Sequence, residues 1–257
     1  MNIHKTALVN PDAVLGEGVE IGANTIIGGK VNIGTGVKIG ANVVIDAAVE
    51  IGDNCQIFTG AVIGTNPQDL KFKGEDTKVV IGKNTVIREY VTINKGTTST
   101  GETHIGEHCL LMAYVHVAHD CVLGNEAILA NAVTLAGHVV VEDKAIIGGL
   151  TPVHQFVRIG TMAIVGGGSR VSKDIPPYCK AAGTPIRMFG LNTVGLQRND
   201  FPQTTRNSLK NAYKTVFRSK LNTTQAVKQL EKNTDISDEV KYFITFIKES
   251  ERGICKE

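Results

Sequence analysis

The groups in this chain best suited to proton transfer are four histidines, His116, His119, His138 and His154, with Asp120 beside the second and the amide Gln155 beside the last. A neutral imidazole titrates near working pH and can take a proton from a hydroxyl. Three imidazoles brought together can equally hold a metal ion. His119, His138 and His154 are sixteen to nineteen residues apart, too far to share one helix face or one short strand. Only a long structural period could bring them to one place, and such a period is present.

An aliphatic residue recurs at every sixth position. The first series runs Leu15, Ile21, Ile27, Ile33, Ile39, Ile45, Ile51, Ile57 and Ile63, most of them followed directly by Gly. A short run, Ile81, Ile87 and Ile93, keeps the period, and a second long series extends from Ile105 through Leu111, Val117, Leu123, Leu129, Leu135, Val141, Ile147, Val153, Ile159 and Val165 to Val171. The residue two before each is also small or apolar, so positions i and i−2 of a short strand point inward, and Gly, Asn or Asp in the remaining positions permits a turn with φ > 0. Helical i, i+3, i+4 spacing is absent. Three strand-and-turn units close one triangular coil of eighteen residues, and stacked coils bury a continuous aliphatic column. The spacing therefore predicts a parallel β-helix, and the six-residue rung is similar to the left-handed β-helix of hexapeptide repeats.

Coil arithmetic then gathers the polar residues. His119 falls eighteen residues before Gly137 and thirty-six before Gln155, so these three stack at one corner with about 4.8 Å between coils. His138 stacks on Asp120, and His154 on Ala136 and Ala118. All occupy turn positions, outside the core, while His116 faces out from the strand just before the same corner. A general base and a metal held by His119, His138 and His154 both fit this arrangement.

The register lapses at 65–78 and 94–104, and loops thrown from a rigid scaffold are common carriers of function. In the first, Gln68, Asp69 and Lys71 offer an amide, a carboxylate and an ammonium, suited to a substrate but equally to a solvated hairpin. After Val171 the repeat stops and Asp174-Ile-Pro-Pro-Tyr178 marks a chain reversal. The division expected is a β-helix over 1–189 and a small α-helical C-terminal domain over 190–257. Its helices are expected with Pro202 in the first turn of one, from a Thr223-Thr224 cap, and after Ser237 as N-cap. Lys210, Lys214, Arg218 and Lys220 read as a solvated helix face.

Composition narrows the function. A net charge of +2 over 257 residues implies no general attraction to nucleic acid. Neither a leader-like apolar segment nor a membrane span is indicated, so a cytoplasmic location is expected. Five cysteines with no C-x-x-C pair argue against a disulfide framework, and Cys55, Cys109 and Cys121 fall at inward positions, where a thiol acts as a small hydrophobe.

The strings Ala113-Tyr-Val-His-Val-Ala-His-Asp-Cys121, Asn131, Leu135-Ala-Gly-His138, Val153-His-Gln-Phe156, Asp174-Ile-Pro-Pro-Tyr178, Gly190-Leu-Asn192 and Gly195-Leu-Gln-Arg198 closely resemble the UDP-N-acetylglucosamine O-acyltransferase family of lipid A biosynthesis. The resemblance covers nearly the full chain, the Asn66-to-Lys71 loop included. It implies transfer of an (R)-3-hydroxyacyl group from acyl carrier protein to the glucosamine 3-hydroxyl of UDP-N-acetylglucosamine. It further implies a homotrimer with sites between subunits, no cofactor and no metal. In this likeness His119 is the general base, Asp120 supports it, and the Gly137 N–H meets the developing oxyanion. His138 and His116 would hold sugar or phosphate, and Gln68, Asp69 and Lys71 would orient hexosamine and acyl substrate. His154, Gln155, Asn192 and Arg198 would bind the remaining acyl, uridine and phosphate elements. Gly167 resembles the family's gauge of acyl length, where the lack of a side chain implies longer chains. Many members carry an acidic residue where this chain has Val194, and some act on a 3-amino sugar.

Overall fold

The computed structural model describes residues 1–46, 48–232 and 236–255, so 233–235 and 256–257 of the expected helical segment lie outside the described residues. The chain is mainly β, a left-handed parallel β-helix whose strands of two to four residues form three sides of a triangular column. The sheets contain eleven, eight and eight strands, and successive coils pair in parallel. Partners are eighteen residues apart, as in Glu20 with Lys38 and His116 with Thr134. The period extends two rungs below Leu15, through strands Asn2–Ile3 and Leu8–Val9.

Positions i and i−2 make the core: Val31 and Ile33, Val49 and Ile51, Val115 and Val117, and Val133 and Leu135 are all at most 4% exposed. Cys55, Cys109 and Cys121 join them, and their thiols donate to the carbonyls of Gly82, Gly124 and Ala136 at 3.2, 3.1 and 3.2 Å. Burial pushes the first two thiols up to about 11 and the third to about 12. None is poised as a thiolate nucleophile.

The corners fill in one detail of the expected turn. Apart from Gly64, at the edge of the first insertion, the glycine after an aliphatic residue is not the residue with positive φ. That role falls three positions after the aliphatic, on Asn24, Asn42 and Asn54, and higher up on Asp120, His138 and Phe156. Its strain is offset by an N–H bonded to the coil below, as in His138 N–H to the His119 carbonyl at 3.1 Å. The glycine itself answers to coil spacing: a Cβ on Gly22 would lie 2.5 Å from the Gly40 carbonyl carbon.

Both long insertions leave from one corner, that between the second and third sheets. The first separates strands Val62–Thr65 and Lys78–Ile81, the second strands Thr92–Asn94 and Glu102–Ile105. Across the first, Gln56 pairs with Val86, thirty residues on; across the second, Val86 pairs with Leu110, twenty-four on. The loops thus hold twelve and six residues beyond the usual eighteen, and the column continues in phase above them.

At its upper end the coil outlasts the sequence pattern. Val171 bridges Val153 and Ile175 bridges Ile159, and strand Cys179–Ala182 pairs in parallel with Ile164–Val165. The chain then returns antiparallel as Arg187–Leu191, a strand that crosses the 189/190 division. Among the described residues four helices follow: α1 (Thr193–Arg198), α2 (Gln203–Phe217), α3 (Thr223–Glu231) and α4 (Asp238–Lys248). Pro202 occupies the N-cap of α2 instead of its first turn. Asn222, not Thr223, caps α3, in a reciprocal capping box with Gln225. Ser237 is the N-cap residue of α4 but its hydroxyl makes no cap hydrogen bond.

The helices are fastened to the column by polar contacts as well as by the shared core. Tyr242 of α4 donates to the Glu142 carboxylate, which also receives Arg158 at 3.2 Å and the Thr161 N–H at 2.8 Å. Asp174 accepts from Ser250 at 2.6 Å and from the Arg158 N–H at 2.8 Å.

Candidate active site

Above the two insertions, the same corner is turned by 118–120, 136–138 and 154–156, between strands His116–Val117 and Val122–Leu123, then Thr134–Leu135 and Val140–Val141, then Pro152–Val153 and Arg158–Ile159. This stacking places the His119 imidazole over Gly137. A Cβ on Gly137 would meet His119 Cε1 at 2.6 Å and Nε2 at 2.8 Å, so the ring fills the space a side chain there would need.

His119 Nδ1 lies 2.7 Å from Asp120 Oδ2. The Asp120 carboxylate is only 2% exposed, and its four acceptor positions are all used. Oδ1 accepts from the Thr97 N–H at 2.9 Å and the Thr100 hydroxyl at 2.5 Å; Oδ2 accepts from the Thr97 hydroxyl at 2.8 Å and from His119. Burial works against its ionisation, but the hydrogen bonds from Thr100, His119 and Thr97 outweigh burial and hold the carboxyl down at about 2. An acceptor-only carboxylate must receive the Nδ1 proton, which leaves Nε2 of a neutral His119 as the free acceptor.

Because this carboxyl titrates lower in the folded chain than in the unfolded one, its contacts contribute stability above about pH 4 that is lost as pH falls towards 2, about 2 kcal/mol in all. The expected result is that the gap in urea midpoint between wild type and Asp120→Asn narrows as pH is lowered from about 6 to about 3. A gap constant over that range contradicts the assignment.

Around this pair, His138 turns its edge to His119, with ring centroids 5.2 Å apart, and brings Nε2 to 3.6 Å from Asp120 Oδ2. Its other face stacks on Phe156 at 4.6 Å. His116, half-buried, makes a 2.7 Å hydrogen bond between Nδ1 and the Thr92 hydroxyl; burial, and secondarily the charge of a protonated His119, lower its pKa and favour the neutral ring. His154 and Gln155 are exposed on the next coil, with His154 Nδ1 donating to the Gln155 carbonyl at 3.2 Å.

The ligand atoms of His119, Asp120 and His138 lie within 4.8 Å of one another and could hold a metal ion. His154, included in the metal set suggested by spacing, is replaced here by Asp120. Coordination by Asp120 would displace one of its four donors, so the arrangement favours a hydrogen-bonded acid and base over a ligand set. A free donor lies close by: among the described residues the Gly137 N–H has no hydrogen-bond partner, whereas those of Ala136 and His138 donate to the Val153 and His119 carbonyls.

The first insertion presents Gln68, Asp69 and Lys71 beside the fully exposed Leu70. Asp69 Oδ1 accepts the Lys71 N–H at 2.9 Å in a local turn, while Lys95 of the second insertion sits over the Phe72 ring at 5.4 Å. Other candidates lie elsewhere on the column. Gly167 is at the corner between the first and second sheets, where a Cβ would approach the Gly149 carbonyl oxygen at 3.1 Å. Asn192 and Arg198 are on α1, beside the corner between the third and first sheets, and only Arg198 is exposed. The Asn192 side chain accepts the Gly195 N–H at 2.9 Å and donates to the Met162 carbonyl at 3.0 Å, so it sets the start of α1. Val194 stands exposed one turn ahead of Arg198.

Three participants are absent from the candidates named in the sequence. Phe156 follows from the same arithmetic that stacks His138 on Asp120, although attention to titratable residues alone passes over it. Thr97 and Thr100 carry no such signal, because the insertion that holds them suspends the arithmetic.

Two family profiles match the chain, one described as Udp N-acetylglucosamine O-acyltransferase, Domain 2, over residues 174–255, and one as bacterial transferase hexapeptide, six repeats, over residues 102–137. The chain is similar to the acyl-[acyl-carrier-protein]--UDP-N-acetylglucosamine O-acyltransferase of Sulfurovum sp., 50% identical over 253 residues that cover 98% of this chain and 96% of the relative. The protein of that name from Aliarcobacter butzleri is 46% identical over 254 residues, with 98% and 97% covered. Among solved structures, the UDP-N-acetylglucosamine acyltransferase from Campylobacter jejuni superposes with a TM-score of 0.94 at 42% identity, covering all of both chains. That from Bacteroides fragilis gives 0.95 at 45%, with 98% of each covered.

Proposed function

The chain belongs to the acyl-[acyl-carrier-protein]–UDP-N-acetylglucosamine O-acyltransferase family, and from that premise we propose that His119 is the general base of its acyl transfer. The observation that carries this reading is the stack of His119 on Gly137, with Asp120 on one imidazole nitrogen and an unengaged backbone N–H beside the other. His119 Nε2 takes the proton of the glucosamine 3-hydroxyl as its oxygen attacks the thioester carbonyl of a 3-hydroxyacyl group on acyl carrier protein. The new C–O bond forms, negative charge gathers on the carbonyl oxygen, and the Gly137 N–H receives it. As the intermediate collapses, the C–S bond breaks and the imidazolium returns its proton to the departing thiolate. The base contributes about two to four orders of magnitude, and one oxyanion donor about 3 kcal/mol.

His138 and His116 line the acceptor's approach, and Gln68, Asp69 and Lys71 reach the hexosamine from the insertion below. His154, Gln155 and Arg198 serve the remaining acyl, uridine and phosphate elements, with the planar guanidinium suited to a phosphate. Asn192 acts through the start of α1. His119, Gly167 and Arg198 lie near three different corners of one prism, so a single site that uses all three is completed by neighbouring copies. A homotrimer satisfies this, with the β-helix of 1–189 and the helices of 190–257 as its working units. No helix among the described residues is long and apolar enough to cross a membrane. Cys55, Cys109, Cys121 and Cys179 are free thiols, which accords with a cytoplasmic enzyme.

The test is turnover with 3-hydroxyacyl carrier-protein thioesters of graded length, on UDP-N-acetylglucosamine and on its 3-amino analogue. The expected product is the 3-O-acyl sugar nucleotide, with longer chains preferred and Gly167→Met moving the optimum to shorter ones. Each acyl methylene left unburied costs about 0.8 kcal/mol. Absence of transfer to either acceptor overturns the function, and a chain-length optimum unmoved by Gly167→Met removes that glycine from it.

A further inference from the structure

The second insertion, 95–101, stands on the corner of the reactive histidine yet presents few groups that a substrate could use. Its polar contacts run inward. The Thr97 N–H and hydroxyl take one carboxylate oxygen of Asp120 each, at 2.9 and 2.8 Å, and so grip the plane of the carboxylate. The Thr100 hydroxyl has one proton and two acceptors within reach, the Glu102 carbonyl at 2.8 Å and Asp120 Oδ1 at 2.5 Å; charge and distance favour the carboxylate. From beneath, the hydroxyl of buried Thr103 accepts the Asp120 N–H at 2.9 Å. The loop is folded to hold these donors in place. Its Gly101 N–H closes onto the Thr97 carbonyl at 2.8 Å, and the Ser99 N–H donates to the Thr97 hydroxyl at 3.2 Å, turning that hydroxyl's proton towards Asp120.

We propose that Thr97 and Thr100 are positioning residues for the acyl transfer, clamping Asp120 in the one orientation that receives the His119 Nδ1 proton and thereby keeping His119 Nε2 free to accept the substrate's. This rests on His119 being the base. A carboxylate with a single partner can rotate about its Cβ–Cγ bond and release the imidazole. One with three further donors fixed by the loop cannot, and the tautomer of a neutral imidazole follows from the bond its other nitrogen makes. The loop is therefore a jig for the base. Its own footing is shared with the first insertion, since Thr77 donates to the Gly96 carbonyl at 2.6 Å and Asn94 to the Thr65 hydroxyl at 2.9 Å.

Thr100 is exposed, so Thr100→Val is expected to leave folding intact. It is expected to lower kcat about ten- to a hundredfold, with KM for both substrates within about twofold, while Thr100→Ser restores kcat to within about threefold. Independently of turnover, 15N spectra of histidine-labelled protein, with the His119 signals assigned by their loss in His119→Ala, are expected to show the Nδ1-protonated tautomer in wild type and a tautomer mixture in the Thr97→Val/Thr100→Val double variant. A Thr100→Val enzyme with wild-type kcat, a serine variant as impaired as the valine one, or an unchanged tautomer in the double variant each overturns the proposal. Full turnover by His119→Ala would instead strike at the assignment of the base, and the tautomer measurement would still decide what the threonines do.

Discussion

His119→Ala is expected to lower kcat by about three orders of magnitude, within the range a positioned base supplies, and to leave the fold and the assembly intact. Asp120 keeps three of its four donors after the substitution, all from Thr97 and Thr100, so no uncompensated buried carboxylate results. The site lies at a turn outside the aliphatic column, which removes the usual cause of large destabilisation. Binding of both substrates is expected to change little. The informative comparison is with His138→Ala, whose ring touches the same carboxylate only at 3.6 Å and is stacked on Phe156. That variant is expected to raise KM more than it lowers kcat. If His119→Ala turned over at the wild-type rate, the proton would have to leave by another route.

Gly137→Ala is the second large effect, and it adds a single methyl. That methyl would sit 2.6 Å from His119 Cε1 and 2.8 Å from Nε2, well inside van der Waals contact. The imidazole cannot yield without straining its 2.7 Å bond to Asp120, and a shift of the 137 backbone would move the N–H proposed for the oxyanion. Both escapes damage the chemistry. The expectation is a loss of kcat of about two orders of magnitude or more, near that of removing an oxyanion donor, with an overpacking cost of about 1–3 kcal/mol. Gly22→Ala is the control: there the methyl would meet only the backbone of the next coil, so thermal stability should fall while the kcat of the folded fraction stays near wild type. Equal activity loss in the two variants would mean that Gly137 serves coil spacing alone.

The column is legible in the sequence because each coil repeats the same physical problem, two inward side chains and a turn, and states its answer every six residues. The cluster at the corner is legible for the same reason: His119 over Gly137 and His138 over Asp120 are consequences of an eighteen-residue pitch. What the period obscures is the division of labour within a turn. Glycine after each aliphatic residue looks like the left-handed position, but close approach of the coils requires it there, while Asn24, Asp120 and His138 carry the positive φ. Where the period lapses, inference weakens. Nothing in the spacing announces the strand pair Cys179–Ala182 and Arg187–Leu191, nor α1, whose cap Asn192 enters the candidate site only through the family resemblance. The threonines around Asp120 lie in a loop whose path no period describes.

The two insertions have a shared meaning in the lengths of chain they consume. Twelve residues leave the stack in one and six in the other, which together make one complete turn of the column. The protein has in effect unwound a single storey of its tower, about 4.8 Å of height, and redeployed it as two arms at one edge. Because the two arms together make one whole coil, every residue above both keeps the azimuth it would have had in an unbroken tower.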